Sequence, residues 1–358
     1  MRVLSQVSIA FFCCFLFPTI APQGESSAQV TPPDKRPAAP ALRADRRITL
    51  DVVVTDRSEN PVPGLQQQDF TILDNKNPQK ILFFSAYDQS NTATGRPFQA
   101  IVLIDALNAS FDRLAYQRLQ LEKFLRKDNG KLPMPMSLVI ISDTSAAQSV
   151  TTSDGNRLVD YLNSEEPGVR PIGKNPRIHG GEARGQNSVY ILKEITSYMA
   201  TQPGRKLLIW LGPGWSIPEG PIGWLDEKSQ ETLFQQVVRL STTLREAGVT
   251  LYNIDDTESP GQGFYYGNFL KGVSSANRAQ IGNLALKVLA TQSGGRVIFS
   301  GNDIVSSIAG CLGDVKAFYT LSFDSPVAGH PNEYHSLKVK IAKRGLTGRT
   351  RTGYYTQP

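Results

Sequence analysis

Cysteine is almost missing from this chain. Two of its three cysteines, Cys13 and Cys14, lie close to the N-terminus, which leaves Cys311 alone in the remainder. A single cysteine cannot close an internal disulfide, so the fold must rest on its apolar core whatever the redox compartment. Cys311 falls in the helical pattern Ile304, Ile308, Cys311, Leu312 with no histidine near it in sequence, which predicts packing rather than nucleophilic chemistry. Histidine is equally sparse. His179, His330 and His335 are scattered, with no pair at zinc spacing. There is no Gly-x-Ser-x-Gly elbow and no phosphate-binding Gly-Lys-Ser/Thr loop. Charge of one sign is also lacking: 38 basic against 32 acidic residues give +6 over 358 residues, too mild for a nucleic-acid footprint.

What is present is an ordinary globular composition, 40% hydrophobic and 20% charged, in a chain long enough for about two domains. The N-terminus reads as an export signal over residues 1–28. Arg2 supplies the positive start, Val7 to Ile20 the apolar run, and Ser26-Ser27-Ala28 the small residues before a cleavage site. The run is interrupted by Pro18 and falls short of the roughly 20 residues of a spanning helix, so the processed chain is expected to have no membrane span. Ala10-Phe11-Phe12 before Cys13 lacks the small residue of a lipid-attachment box. The expected location is periplasmic or extracellular.

Residues 29–45, with Pro32, Pro33, Pro37 and Pro40 and no apolar period, read as a linker. From Arg47 the period is two: Ile48, Leu50, Val52 and Val54 form one apolar face. Phe70 to Leu73 and Ile81 to Phe84 read as two further strands, completing an N-terminal β segment over 46–92. Over 97–315 strand and helix patterns alternate. Ala100 to Ile104, Leu138 to Ile141, Leu207 to Leu211, Val249 to Ile254 and Val297 to Phe299 are continuous apolar runs. Between them lie helical stripes: Leu114, Leu121 and Leu125; Ile191, Ile195 and Met199; Leu233, Val237, Leu240 and Leu244; and Ile281, Leu284 and Val288. Gly204 and Gly248 mark helix ends. Gln148 to Thr152 follows its predecessor too closely for a helical crossover and predicts an antiparallel edge. Strands return over 316–358, at Phe318 to Phe323, Leu337 to Ile341 and Thr352 to Tyr355. The predicted fold class is therefore α/β: a doubly wound, mostly parallel sheet with one antiparallel edge strand, inserted in a β-sandwich-like module built from the N- and C-terminal strands.

Several of these segments resemble a known family. A strand ending in Asp105, an antiparallel edge hairpin, the stretch Gln202-Pro203-Gly204-Arg205-Lys206-Leu207-Leu208-Ile209-Trp210-Leu211 and a closing Gly353-Tyr354-Tyr355 resemble the von Willebrand factor A-related domain of secreted acidobacterial proteins. Asp51-Val52-Val53-Val54-Thr55-Asp56, with Gly64-Leu65 and Asp69-Phe70, is similar to the same family's N-terminal piece. The resemblance implies a divalent-cation site, Mg²⁺ or Mn²⁺, built on an Asp-x-Ser-x-Ser loop, a later threonine and an aspartate after the fourth strand. Asp105 stands where the first aspartate belongs, but the two serine positions hold Leu107 and Ala109. Asn108 and Ser110 offer oxygens one residue out of register, giving a degenerate metal set of Asp105, Asn108 and Ser110. Asn187 and Ser188 are the nearest match to the threonine loop, and Gly212-Pro213-Gly214 replaces the aspartate. A metal-free loop in which Asp105 bonds backbone amides is the competing expectation. Asn108-Ala109-Ser110 is also a glycosylation sequon.

Among other clusters, Asp255-Asp256 is expected to be a pair of solvated loop carboxylates. Lys338, Lys340, Lys343, Arg344, Arg349 and Arg351 read as the wet face of a half-buried strand. Gly261 to Gly267, with Phe264, Tyr265 and Tyr266, reads as a binding tip or as aromatic cover. The leading functional expectation is an adhesion-like module that binds a protein partner through loops at the C-terminal edge of the sheet. The rivals are an envelope hydrolase using Asp105, Asp143 and Asp255, and a metal-free scaffold.

Overall fold

The computed structural model describes residues 46–89, 98–142, 146–164, 181–215, 225–257 and 264–356. The expected signal and linker lie outside the described residues, as do Asp143, His179 and residues 261–263 of the 261–267 stretch. The N-terminal strands are β1 Arg47–Thr55, β2 Phe70–Asp74, β3 Asn77–Gln79 and β4 Phe83–Asp88. The body that follows comprises β5 Phe98–Asp105, α1 Phe111–Arg126, β6 Lys131–Ile141, β7 Ala146–Gln148, β8 Thr152–Asp154, α2 Gly155–Ser164 and α3 Gly181–Ala200. It continues through β9 Arg205–Leu211, α4 Glu227–Glu246, β10 Val249–Asp255, α5 Phe264–Gly267, α6 Leu286–Gln292, β11 Val297–Phe299 and α7 Ile304–Gly313. The chain then returns to β12 Ala317–Asp324, β13 Glu333–Ile341, β14 Thr347–Arg349 and β15 Gly353–Thr356.

The two ends of the chain build one sandwich. One sheet runs β14-β1-β12-β4 and the other β15-β13-β2-β3, so each mixes N- and C-terminal strands. The period-two face of β1 (Ile48, Leu50, Val52, Val54) packs with Ile72, Tyr319, Leu321, Phe323, Val339 and Tyr354 between the sheets. Burying an aliphatic side chain of this size contributes roughly 1.5–3 kcal/mol, and neither set of terminal strands has enough of them to hold a sheet alone. Asn75 and Lys76, with φ of 46° and 72°, form the two-residue turn between β2 and β3, the left-handed geometry that suits a hairpin.

The body is an α/β sheet in the order β11-β10-β9-β5-β6-β7, with β8 also on β6. Its pairs are parallel except for β7 and β8, which run antiparallel to β6. The expected edge hairpin is thus present but split into two short strands. Alternate residues of one strand serve opposite cores: Ile101 and Leu103 meet α3, α4 and α6, whereas Ala100, Val102 and Ile104 meet α1, α2 and α7. That double burial is why the strands read as unbroken apolar runs. Gly204 and Gly248 adopt φ of +83° and +63°, as helix-ending glycines should.

Three local readings need correction. The stripe Ile281, Leu284, Val288 is not one helix. A 3-10 turn over Ile281–Leu284, capped at its start by Asn283 Oδ1 accepting the Gln280 N–H, is separated from α6 by Ala285, whose backbone is extended. β6 begins seven residues before its predicted start, at Lys131 rather than Leu138, since Pro133 and Pro135 precede the β5 register, which starts at Met136. Finally, Arg349 and Arg351 do not belong to a wet face. Arg349 pairs with Asp314, and Arg351 is buried, which pulls its guanidinium down to about 10.

Body and sandwich meet through alternating residues of β15: Tyr354 enters the sandwich core and Tyr355 the core of the body. Phe98, at the start of β5, packs edge-on against Tyr87 and Phe318. The joint therefore lies at the opposite end of β5 from Asp105. Cys311 is fully buried, and burial pushes its thiol up to about 12, with the nearby Asp314 adding to the rise. At pH 8 the native protein is expected to resist iodoacetamide at Cys311, while the urea-unfolded chain is alkylated there within minutes. Peptide mass spectrometry reads this directly, and fast native labelling would contradict the packing.

Candidate functional site

The winding of the sheet reverses at β5. From β5 the chain steps outward to β6 and β7, then crosses back to β9 on the other side. In open α/β sheets the carboxyl ends of the strands flanking such a reversal form the usual ligand crevice. Here those ends carry Asp105 from β5 and Gly212 just after β9.

Asp105 has no exposed surface. Its Oδ1 accepts the backbone N–H of Asn108 at 3.0 Å and the Asn108 side-chain amide at 3.0 Å. Its Oδ2 accepts the same amide at 3.0 Å and the Trp210 indole N–H at 2.9 Å. Burial pushes the Asp105 carboxyl up, opposed by these donors from Trp210 and Asn108. The Asn108 amide also donates to Ser188 Oγ at 3.0 Å, and Ser188 is wholly buried on α3. The loop is closed further by the backbone, with Ala109 N–H on the Asp105 carbonyl at 3.2 Å.

The residues in the two serine positions have a packing role. Leu107 and Ala109 are buried, and Leu107 belongs to the core under α3 and α4. Gly212 explains the missing aspartate: its φ is +134°, and a Cβ there would sit 2.9 Å from the Asp105 Cβ. Its backbone is pinned by its own N–H on the Ile254 carbonyl at 2.9 Å and by the Asn253 amide on its carbonyl at 2.8 Å.

The structure therefore brings Asp105, Asn108 and Ser188 together and adds Trp210. Ser110 is not among the residues bonded to Asp105. It is exposed, and its carbonyl opens α1 by accepting the Leu114 N–H at 2.9 Å. Asn187 is exposed. Mg²⁺ asks for about six oxygens at roughly 2.0–2.1 Å. This loop has one carboxylate, both of whose oxygens already face N–H donors, and no side-chain oxygen from Leu107, Ala109 or Gly212. The residues as arranged do not fit Mg²⁺ or Mn²⁺. Among the described residues no group of three or more His, Cys, Asp or Glu side chains gathers at a metal-binding spacing.

The second carboxylate pair is not solvated. Asp255 and Asp256 are both buried, at the end of β10. Asp255 Oδ1 accepts the backbone N–H and hydroxyl of Thr257 at 2.8 and 2.7 Å, and its Oδ2 lies 2.9 Å from Lys287 Nζ. Asp256 accepts the Gln117 amide at 2.8 Å, with Arg113 at 4.0 Å. Lys287, Gln117 and Arg113 come from helices distant in sequence, so a strand-end Asp-Asp looked like a loop. Asp105 and Asp255 each hold their own hydrogen bonds and are separated by β9, so the acid–base pairing expected of a hydrolase is not assembled from these two. Two surface cavities, of about 380 and 820 Å³, lie elsewhere, beside Asp56 and Arg344 and beside Asp226 and Asn277.

The strand order, with its antiparallel edge and its reversal at Asp105, is that of a von Willebrand factor A-like body set in a β-sandwich. No protein-family model matches the sequence, and no curated protein matches it. Among solved structures, the chain is similar to the human COPII-coat protein Sec24c, at 11% identity and a TM-score of 0.34 over 73% of this chain and 44% of that one. It is also similar to the vWF domain of the type V pili tip protein Mfa5 from Porphyromonas gingivalis, at 12% and 0.34 over 61% and 96%. A third is the manganese-loaded TRAP protein of Plasmodium vivax, at 9% and 0.32 over 76% and 98%. The chain spans less than half of the Sec24c structure. Scores this low carry no argument about this chain, and its fold is given by its own strand order.

Trp210 and Ser188 complete the site with Asp105 and Asn108. Ser188 was legible as a loose match to the threonine loop. Trp210 carried no signal, since its indole reaches Asp105 only because β9 lies beside β5.

Proposed function

We propose that this chain is an exported protein-interaction module of the von Willebrand factor A-related, secreted acidobacterial kind. Residues 97–315 form its binding body, and 46–92 with 316–358 form its mount. The contact surface is the Asp105 edge of the sheet. The observation that supports this reading is Phe111. It is 67% exposed, yet it stands at the first turn of α1, directly after a loop whose only carboxylate is fully buried and hydrogen-bonded. A large apolar side chain held in water on a rigid element has the character of an interface hot spot. Arg113 lies two residues on, with its side chain 43% exposed, and arginine is the other residue type enriched at such spots. The partner is a protein, and no helix among the described residues is long and apolar enough to cross a membrane. A cation at Asp105 is not required for this contact.

Site-specific photocrosslinking tests the reading. A photoreactive residue at Phe111 is expected to trap a discrete protein adduct in an envelope extract, and competition with unmodified protein should remove it. Competition with the Phe111→Asp variant should not. Val327, 79% exposed in the sandwich, is the control position. Equal trapping at both positions, or none at Phe111, would leave the scaffold reading in its place.

A further inference from the structure

A single nitrogen sits at the centre of the Asp105 loop. The Nδ2 of Asn108 is 3.0 Å from each of three oxygens, Asp105 Oδ1, Asp105 Oδ2 and Ser188 Oγ. The oxygens come from a strand end and a helix 80 positions away, and Asp105 and Ser188 have no exposed surface. A carboxylate accepts and never donates, so the amide presents its NH₂ and not its carbonyl to Asp105. Two N–H bonds serve three acceptors, one hydrogen being shared by the two carboxylate oxygens. The separation of 3.0 Å is that of an N–H···O bond and about 1 Å too long for Mg²⁺ to oxygen.

We propose that the Asn108 amide takes the place of a metal ion in this loop, as a covalently tethered donor that holds Asp105 and Ser188 together permanently. The chain then keeps the cation's structural role and gives up its regulation. Loop geometry becomes independent of divalent ions, and so does any contact made at this edge. Trp210 supports this assignment. Its indole N–H takes a remaining acceptor direction on Asp105 Oδ2 at 2.9 Å, so both carboxylate oxygens are held by N–H donors of the chain itself. So does Gly212, whose close approach to Asp105 closes the other side. The inference concerns the loop itself and stands whether or not a protein binds beside Phe111.

Thermal unfolding of the purified full chain, in excess EDTA and then in millimolar MnCl₂ or MgCl₂, reads the proposal. The wild-type midpoint is expected to be the same in all three. Asn108→Ala, which removes the donor and adds no charge, should lower it by several degrees, on the order of 5 °C. Asn108→Asp puts a second carboxylate against the first. It should fall further in EDTA and recover part of the loss in MnCl₂, because the oxygens then need a positive charge between them. Three results would overturn the proposal. One is a wild-type midpoint raised by Mn²⁺, with a calorimetric binding heat that Asp105→Ala abolishes. Another is an Asn108→Ala protein as stable as wild type. The third is a folded Asn108→Asp protein indifferent to Mn²⁺. If Asn108→Asp does not fold, the wild-type and Asn108→Ala series still decide.

Discussion

Asp314→Ala is expected to destabilise the protein by about 3–5 kcal/mol, the usual range when one partner of a buried ion pair is removed. Asp314 follows α7 and has a side chain only 3% exposed. Its carboxylate receives the Arg349 guanidinium from β14 and the Tyr252 hydroxyl from β10, the latter at 2.6 Å. Its carbonyl accepts Arg205 at 3.2 Å, and Arg205 in turn lies 4.5 Å from the centre of the Phe318 ring. One residue thus ties a strand of the body to a strand of the sandwich. Its loss strands a guanidinium and a phenol in a place with little water, and the charge left behind costs more than the pair contributed. Trp210 and Trp215 both pack in the core of the body, so their fluorescence reports it. The urea midpoint by fluorescence should drop sharply, and a shift under about 1 kcal/mol would show that Arg349 finds water in the native fold.

Gly212→Ala should be comparably severe, at about 2–6 kcal/mol, from two additive causes. A φ of +134° is one that side-chain-bearing residues rarely adopt, worth about 1–3 kcal/mol. The added methyl would also meet Asp105 Cβ at 2.9 Å in a close-packed region, typically another 1–3 kcal/mol. Neither strain relaxes cheaply, since hydrogen bonds to Ile254 and from Asn253 hold the residue on both sides. Chemical denaturation of the variant measures the loss. Wild-type stability in Gly212→Ala would mean that the approach to Asp105 is loose. The same geometry argues against restoring a metal site by Gly212→Asp alone, because the carboxylate would arrive through the very Cβ that has no room.

The sheet could be read from the sequence because its strands are buried on both faces, and nothing but continuous apolar runs survives there. The sandwich followed from the period-two face of β1 and from the shortage of strands at either end. Legibility stopped where a residue's partner is set by tertiary placement. Arg349 and Arg351 sit just beyond an alternating Lys338, Lys340 pattern and were read with it, although a turn intervenes and Asp314 waits on the far side. Asp255-Asp256 looked like a wet loop because Lys287 and Gln117 are far away in sequence. The Asp105 loop was half legible. Its departures from the metal motif at Leu107 and Ala109 were plain, and each has a cause in core packing. The role of Asn108 as donor rather than ligand depends on Ser188 and Trp210 arriving from two other elements, and spacing cannot show that.

The insertion also decides how a pulling force would travel. The body leaves the mount at β4 and re-enters at β12, and these strands are paired, with Asp88 opposite Ala317. β12 pairs in turn with β1, Tyr319 opposite Val52 and Asp324 opposite Arg47. In a chain held through the residues before Arg47 and gripped at the Asp105 edge, β12 is drawn toward the body while β1 is drawn away from it. The two strands then slide against each other lengthwise, and the load is spread along a ladder of six residue pairs from Arg47–Asp324 to Val52–Tyr319. Gripped at its far edge, the molecule resists by shear, in which the rungs must fail together, and not by peeling, in which they fail one at a time.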